Sequence, residues 1–313
     1  MLKEILANVK TVAIGGHVRP DGDCIGSCVG LYLYLKEQYK NLEVDVYLKN
    51  IPDSLRYIKA TDEAKDVADE EKVYDLFIAL DCGDADRLDF SEVLFHKAKK
   101  TFCVDHHISN QGFADKNHIK PDASSTSELV YGLLESDKIS KEVAECLYLG
   151  IVHDTGVFQY SCTSPQTMNV AAGLMQKGID SSDIIEKTFY EKTYEQNRVL
   201  GHCLLHSRCI MEGKCIVSCL SKETMDEYGV TAKDLDGIVS QLRQTKGISV
   251  AIFLYELDEA EYKISMRSNE AVDVSVIAQY FGGGGHKKAA GVTIKGTADE
   301  VIAKIIEQIE VQL

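Results

Sequence analysis

The sequence lacks several features that mark other classes of protein. Its 313 residues include no tryptophan and 4 prolines, and no two of its 10 cysteines form a Cys-x-x-Cys pair. This argues against a thiolate metal framework, so we expect the cysteines to be small buried hydrophobes kept reduced. No apolar run approaches the roughly 18–20 residues of a membrane span. The opening MLKEILANVK lacks the apolar core of a secretory signal, so we expect a cytoplasmic protein without a membrane partner.

Positive charge is also scarce. The chain has 34 Lys and Arg against 49 Asp and Glu, which gives a formal net charge of −15. A protein that binds long nucleic acid needs a basic track, because neutralising phosphates supplies much of the affinity. Long duplexes are therefore not expected as partners. A small anionic substrate remains compatible with this charge if bound metal supplies positive charge locally.

The first half of the chain alternates short apolar runs with helical patterns. The runs typical of buried strands are TVAIGG, LEVDVYL, DLFIALD and TFCVDH. Such alternation predicts crossover units and a mostly parallel sheet. Short strands and helices begin again after a charged helical stretch, so we predict an α/β protein with a smaller second α/β domain. The expected limits are 1–188 for the first domain, 189–206 for a helical linker and 207–313 for the second domain.

Acids and histidines gather where the predicted strands end. They are His17, Asp21, Asp23, Asp81, Asp105, His106 and His107, joined by Asp154 at the end of a helical run. Side chains that act together in open α/β sheets collect at the carboxyl ends of the strands. Burying so many carboxylates without cations would be costly, so we predict a metal centre. Oxygen and imidazole ligands favour manganese or magnesium over structural zinc.

With these residues in place, the chain resembles the DHH phosphoesterase family, whose name matches Asp105-His106-His107. The stretches that carry the resemblance are HVRPDGDCIGS, ALDCGD, VDHH and GIVHDTGVF, followed by MRS and FGGGGHKKAAG in the second half. The resemblance implies an N-terminal DHH domain and a C-terminal DHHA1 domain that binds substrate. It is greatest to the stand-alone nanoRNase/pAp-phosphatase type. That type implies hydrolysis of short 5′-phosphorylated oligonucleotides, such as short RNA and the dinucleotide pApA, and of pAp.

The resemblance also implies roles for individual residues. The implied ligands are His17 and Asp21 for one divalent ion, Asp23, His106 and Asp154 for the second, and Asp81 as the bridge between them. Asp105 would orient a histidine ligand, and His107 would contact the scissile phosphate. The nucleophile would be a metal-activated water. Mn²⁺ is the expected ion, with Mg²⁺ as the alternative.

The second half supplies the expected substrate contacts. They are Arg267, Ser268, Gly283, Gly284, Gly285 and His286. Glycines let the backbone approach a ligand closely, and amides ahead of a helix would form an anion site. With one phosphate bound here and another at the metals, a substrate of very few nucleotides would fit and a long strand would not.

Other functions stay open at this point. Cyclic di-AMP is cleaved by some members of the family. A family II-like inorganic pyrophosphatase would share the metal motifs, but its C-terminal Ser-Arg-Lys-Lys signature is missing. A non-catalytic nucleotide-binding protein would not need all six metal ligands. The preferred substrate, and whether the chain forms a homodimer, are left open.

Overall fold

The structure is a computed structural model that describes residues 1–269 and 271–313. The chain divides into two compact units, Met1–Glu191 and Lys192–Leu313. The strands of the first unit are β1 Thr11–Gly15, β2 Glu43–Tyr47, β3 Leu76–Leu80, β4 Thr101–Asp105 and β5 Lys116–Ile119. Its helices are α1 Leu2–Ile5, α2 Gly22–Gln38, α3 Glu92–Lys97, α4 Thr126–Leu133, α5 Lys141–Asp154, α6 Pro165–Met175 and α7 Ser181–Ile185.

The first unit contains the parallel sheet that the sequence predicts. Its strand order is β2-β1-β3-β4-β5, and every neighbouring pair is parallel. Strand β3 is buried along its whole length, which explains its continuous apolar sequence. The edge strand β5 escaped prediction because it carries polar residues and is half exposed. Since all five strands run the same way, their carboxyl ends share one edge of the sheet.

Helices α2 and α5 lie close together beside this edge because glycines remove the side chains between them. A Cβ atom added to Gly26 would overlap the carbonyl oxygen of Cys146. A Cβ atom added to Gly150 would overlap the Ser127 hydroxyl and lie 2.7 Å from Asp23 Oδ1. The close approach of the two helices therefore brings the first turn of α2 to the C-terminal end of α5, where Gly22 lies against His153.

The second unit is a mixed sheet covered by helices on both faces. Its strands are β6 Arg208–Ile210, β7 Cys215–Leu220, β8 Val250–Asp258, β9 Glu261–Ser268, β10 Gly284–His286 and β11 Ala289–Lys295, and its helices are α8 Tyr194–Leu205, α9 Lys222–Tyr228, α10 Ile238–Arg243, α11 Val274–Tyr280 and α12 Ala298–Glu310. The strand order is β10-β11-β9-β8-β7-β6, with β7 and β8 parallel and the other pairs antiparallel. The predicted second α/β unit is confirmed.

Helix α8 belongs to the second unit, although its residues were expected to form a linker. Val199 and Cys203 on this helix are fully buried among residues of β7, β8 and α10. Apolar residues four positions apart lie on one face of a helix, and that face needs a partner. The first compact unit ends at Glu191, so this helix packs as part of the second core.

The glycine run does not precede a helix, so the expected helix N-terminal anion site is wrong. The run follows α11 and leads into β10, which pairs antiparallel with β11. A Cβ atom added to Gly283 would overlap the carbonyl oxygen of Gly291, and one added to Gly285 would lie 2.5 Å from that of Ala289. These two glycines are needed for close approach of neighbouring strands.

Replacing Gly26 with alanine should destabilise the protein, because the new Cβ would meet the backbone of α5. Overpacking of this kind costs about 1–3 kcal/mol. Urea denaturation would measure the free energy of unfolding.

Gly132→Ala is the matched control. Gly132 is exposed on α4, and an added Cβ has no heavy atom of the described residues within 4 Å. Alanine is favoured over glycine in helices by about 0.5–1 kcal/mol, so this variant should be more stable than the wild type. A similar loss of stability in both variants would show that the packing argument is wrong.

Candidate metal centre

His17 and Asp21 lie in the loop between β1 and α2. His17 is 6% exposed, and its Nδ1 lies 2.9 Å from the carbonyl oxygen of Val18. Its Nε2 lies 3.4 Å from Asp81 Oδ2 and 3.6 Å from Asp21 Oδ1. Asp21 begins α2 by accepting hydrogen bonds from the amides of Asp23 and Cys24. The helix cap thus fixes one carboxylate beside the histidine.

Asp81 occupies the centre of the cluster. It follows β3 with a φ of 58°, in the left-handed region that few residues other than glycine adopt. The residue is 2% exposed. Its Oδ2 faces His17, whereas its Oδ1 lies 3.6 Å from His106 Nε2 and accepts a 3.0 Å hydrogen bond from the Thr126 hydroxyl. One oxygen of this carboxylate therefore faces His17, whereas the other faces His106 and also lies 3.7 Å from His107 Nδ1.

Asp23, His106 and Asp154 form the second group. Asp23 is fully buried and accepts hydrogen bonds from the amides of Thr126 and Ser127 at the start of α4. His106 Nε2 lies 3.0 Å from Asp154 Oδ2 and 3.9 Å from Asp23 Oδ2. Three elements that are distant in sequence thus meet around one imidazole nitrogen.

The donor set fits divalent metal ions. Ligand atoms bound to one ion at about 2.0–2.2 Å lie roughly 3 Å apart, close to the separations of these oxygens and nitrogens. Burial, together with the charges of Asp81 and Asp154, raises the pKa of Asp23 well above its ordinary value. Burial also raises the pKa of Asp154 to about 6, although His106 opposes the shift. Cations would relieve this conflict of charges.

Cys24 also lies close to the first group. Its Sγ, a ring nitrogen of His17 and a carboxylate oxygen of Asp81 all lie within 4.8 Å of one another. Burial raises the pKa of the Cys24 thiol well above its ordinary value. Sequence reasoning treated every cysteine as packing, and nothing in the cysteine spacing marks this one.

Asp105 orients His107 and not His106, which differs from the expectation that it supports a ligand. His107 Nδ1 lies 2.7 Å from Asp105 Oδ1, and Asn110 donates a 2.7 Å hydrogen bond to Asp105 Oδ2. Hydrogen bonding to Asp105 raises the pKa of His107. His106 Nδ1 instead lies 3.4 Å from the carbonyl oxygen of Ala123.

Some supporting residues escaped the sequence analysis. The start of α4 could have been found, because Ser125 and Glu128 have the spacing of a capping box and Ser125 does cap α4, but nothing in that spacing shows that the first amides of the helix meet Asp23. Nothing in the sequence marks Asn110. His153, which precedes Asp154, lies 3.1 Å from the Thr188 hydroxyl through its Nε2.

The expected substrate contacts of the second unit lie near one end of its sheet. Arg267 on β9 and His286 on β10 are both register partners of Ala289 on β11. The following Lys287 and Lys288 are exposed. Ser268 has a structural contact, since its buried hydroxyl donates a 2.7 Å hydrogen bond to the carbonyl oxygen of Val272. Gly284 is exposed in β10.

Among the described residues, the structure contains no helix that is both long and apolar enough to cross a membrane.

Comparison with known proteins identifies a domain in each unit. Residues 11–151 match the model of the DHH family, N-terminal domain, and residues 212–312 match that of the DHHA1 domain. The bifunctional oligoribonuclease and PAP phosphatase NrnA of Bacillus subtilis is 28% identical, over 94% of this chain and 93% of the relative. The protein of the same name from Thermus thermophilus is 29% identical, over 100% and 94%. The crystal structure of an exopolyphosphatase-related protein from Bacteroides fragilis has a TM-score of 0.91 and 27% identity, covering 99% of this chain and 94% of that chain.

Adding Mn²⁺ to metal-free protein should raise its melting temperature. At about 100 times the dissociation constant, binding adds about 2.7 kcal/mol of stability, which corresponds to roughly 5–10 °C for a unit of this size. The metal-free protein should itself lose stability as the pH rises through about 6, because Asp154 has a raised pKa when folded.

The Mn²⁺ effect should therefore be larger at mildly alkaline than at mildly acidic pH, where protons compete for the carboxylates. Differential scanning calorimetry of chelator-treated protein would measure it. Asp81→Asn should greatly reduce the Mn²⁺ effect. An undiminished effect in this variant would count against a metal centre built around Asp81.

Proposed function

The chain belongs to the DHH family and carries a DHHA1 domain in its second unit, and on that basis we propose that it is a two-metal phosphoesterase acting on short 5′-phosphorylated oligoribonucleotides and pAp. The main observation behind this proposal is the position of the Asp81 carboxylate: its Oδ2 faces His17 and its Oδ1 faces His106. A carboxylate in this position can bridge two ions. The relatives named as oligoribonuclease and PAP phosphatase span nearly the whole chain, which supports the substrate class.

The side chains divide the work of hydrolysis. His17 and Asp21 would hold one ion, Asp23, His106 and Asp154 the other, and Asp81 both. Bound divalent ions supply Lewis acidity and a water of lowered pKa as the nucleophile. Mn²⁺ suits this set better than Mg²⁺, because imidazole ligands are poorly matched to the harder ion.

His107 acts on the phosphate in this proposal. Asp105 holds its Nδ1 at 2.7 Å and raises its pKa, so the protonated ring is favoured. Through Nε2 such a ring can donate a hydrogen bond to a phosphate oxygen as negative charge develops there. Asn110 fixes the other oxygen of Asp105 and thereby limits rotation of the carboxylate.

The second unit binds a phosphate of the substrate in this proposal. Arg267, His286, Lys287 and Lys288 give the end of its sheet a local positive charge within a chain of net charge −15. A basic spot of this size suits one or two phosphates. Binding of a long strand would need a continuous basic track, which the overall charge disfavours.

Replacing each of the two adjacent histidines should have a different effect on metal content and on turnover. His106→Ala should lower both metal content and turnover of pApA, because it removes a ligand. His107→Ala should keep the metal content and lose about 10²–10³-fold in kcat, as expected for the loss of one transition-state donor. Metal analysis by mass spectrometry and steady-state kinetics would separate the two effects. Equal loss of metal in both variants would show that the assignment of His106 as a ligand and His107 as a phosphate contact is wrong.

Cleavage should slow steeply with substrate length. In a series from pAp and the dinucleotide to a decanucleotide, kcat/KM should be highest for the shortest substrates. His286→Ala should raise the KM for the dinucleotide about tenfold, the usual effect of one charge-assisted hydrogen bond, with the metal content unchanged. His96→Ala is the control, since His96 is an exposed histidine that lies 3.2 Å from Glu92. Undiminished degradation of long strands would contradict the proposed substrate class.

A further inference from the structure

We infer that the first metal position also accepts a thiophilic divalent cation, Zn²⁺ or Cd²⁺, with Cys24 as a ligand beside His17 and Asp81. The inference deepens the proposed function and rests on its metal centre. It concerns which ions the centre holds, and therefore can be tested without substrate.

The three ligands already surround one small volume. A ring nitrogen of His17, the Cys24 Sγ and an Asp81 oxygen lie within 4.8 Å of one another, and all three residues are buried. Tetrahedral zinc with bonds of about 2.0–2.3 Å holds its ligand atoms roughly 3.5 Å apart. Side-chain movements of about 1 Å would therefore bring the three ligand atoms within bonding distance of one ion. Asp21 Oδ1 lies next to this set, at 3.6 Å from His17 Nε2.

The position of the sulfur is fixed from two sides. The Cys24 amide donates a 3.1 Å hydrogen bond to Asp21 Oδ1, which holds the residue in the first turn of α2. The sulfur itself lies against Gly16, where an added Cβ atom would overlap it. Gly16, which follows β1, thus leaves space for the sulfur atom next to His17.

The oxygen-preferring and thiophilic ions differ in whether they bind the sulfur of Cys24. Mn²⁺ and Mg²⁺ favour oxygen donors over sulfur, so Cys24 would not ligate these ions. A thiophilic ion forms a metal–sulfur bond, and the thiol proton passes to water. The sulfur ligand thus gives Zn²⁺ and Cd²⁺ an advantage at this position that Mn²⁺ does not share.

Co²⁺ added to the chelator-treated full-length chain is the direct probe. Thiolate ligation gives a charge-transfer absorption in the near ultraviolet, and we expect it in the wild type with one thiolate per chain. Cys24→Ser should lose the band. Cys146→Ser is the matched control, because Cys146 is a buried cysteine of α5 and lies outside the metal-capable groups of the described residues. Absence of the band from the wild type, its persistence in Cys24→Ser or its equal loss in Cys146→Ser would overturn the inference.

Displacement of Mn²⁺ is the second measurement. Electron paramagnetic resonance follows Mn²⁺ release as Zn²⁺ is added, and Cys24→Ser should need about tenfold more Zn²⁺ for release of the first ion, as for loss of about 1.4 kcal/mol of binding. Circular dichroism checks folding, and Cys24→Ala replaces the serine variant if that one does not fold. Equal Zn²⁺ requirements in the folded variant and the wild type would refute the inference. A protein that shows the band but does not cleave pAp would refute only the proposed function.

Discussion

Buried carboxylates at one edge of the parallel sheet are the constraint on which the rest of the structure depends. Asp23, Asp81 and Asp105 are each 2% exposed or less, and ionised groups at that depth are costly unless they are hydrogen bonded or paired. Thr126 donates to the first two, through its amide and its hydroxyl, and Asn110 donates to the third. Even with two amide donors, burial and the neighbouring carboxylates keep the pKa of Asp23 well above its ordinary value, which is why the cluster is suited to cations.

The helix packing of the first unit positions the acidic residues at this edge of the sheet. Gly26 and Gly150 let α2 and α5 approach so closely that added Cβ atoms would overlap their neighbours. The same contact places Asp23, in the first turn of α2, near Asp154 at the end of α5. Tight glycine contacts leave little space to relax, so the proposed metal ligands are held by the fold before any ion binds. Such preorganisation lowers the cost of assembling the site.

The sequence predicted the features that depend on residues close together in the chain. Apolar periodicity identified strands β1 to β4, and the parallel order of the strands brought their terminal acids to one edge. Contacts between distant residues leave no such pattern, so the bonds from Thr126 to Asp23 and Asp81 could not be read from it. Glycines were ambiguous for another reason. Helix caps, loops and close strand contacts all require them, and Gly283 and Gly285 proved to be of the third kind.

The two histidines of the Asp-His-His motif are held by different partners just beyond the end of β4. Asp105 is the last residue of β4, and its Oδ1 lies 2.7 Å from His107 Nδ1. His106 presents its Nε2 to Asp154 at 3.0 Å. Both rings also approach Asp81 Oδ1, at 3.6 Å for His106 and 3.7 Å for His107. Because one histidine is oriented by a carboxylate and the other by the carbonyl oxygen of Ala123, two neighbours of identical chemistry can take the different roles that we propose, one as a metal ligand and one as a donor to the substrate.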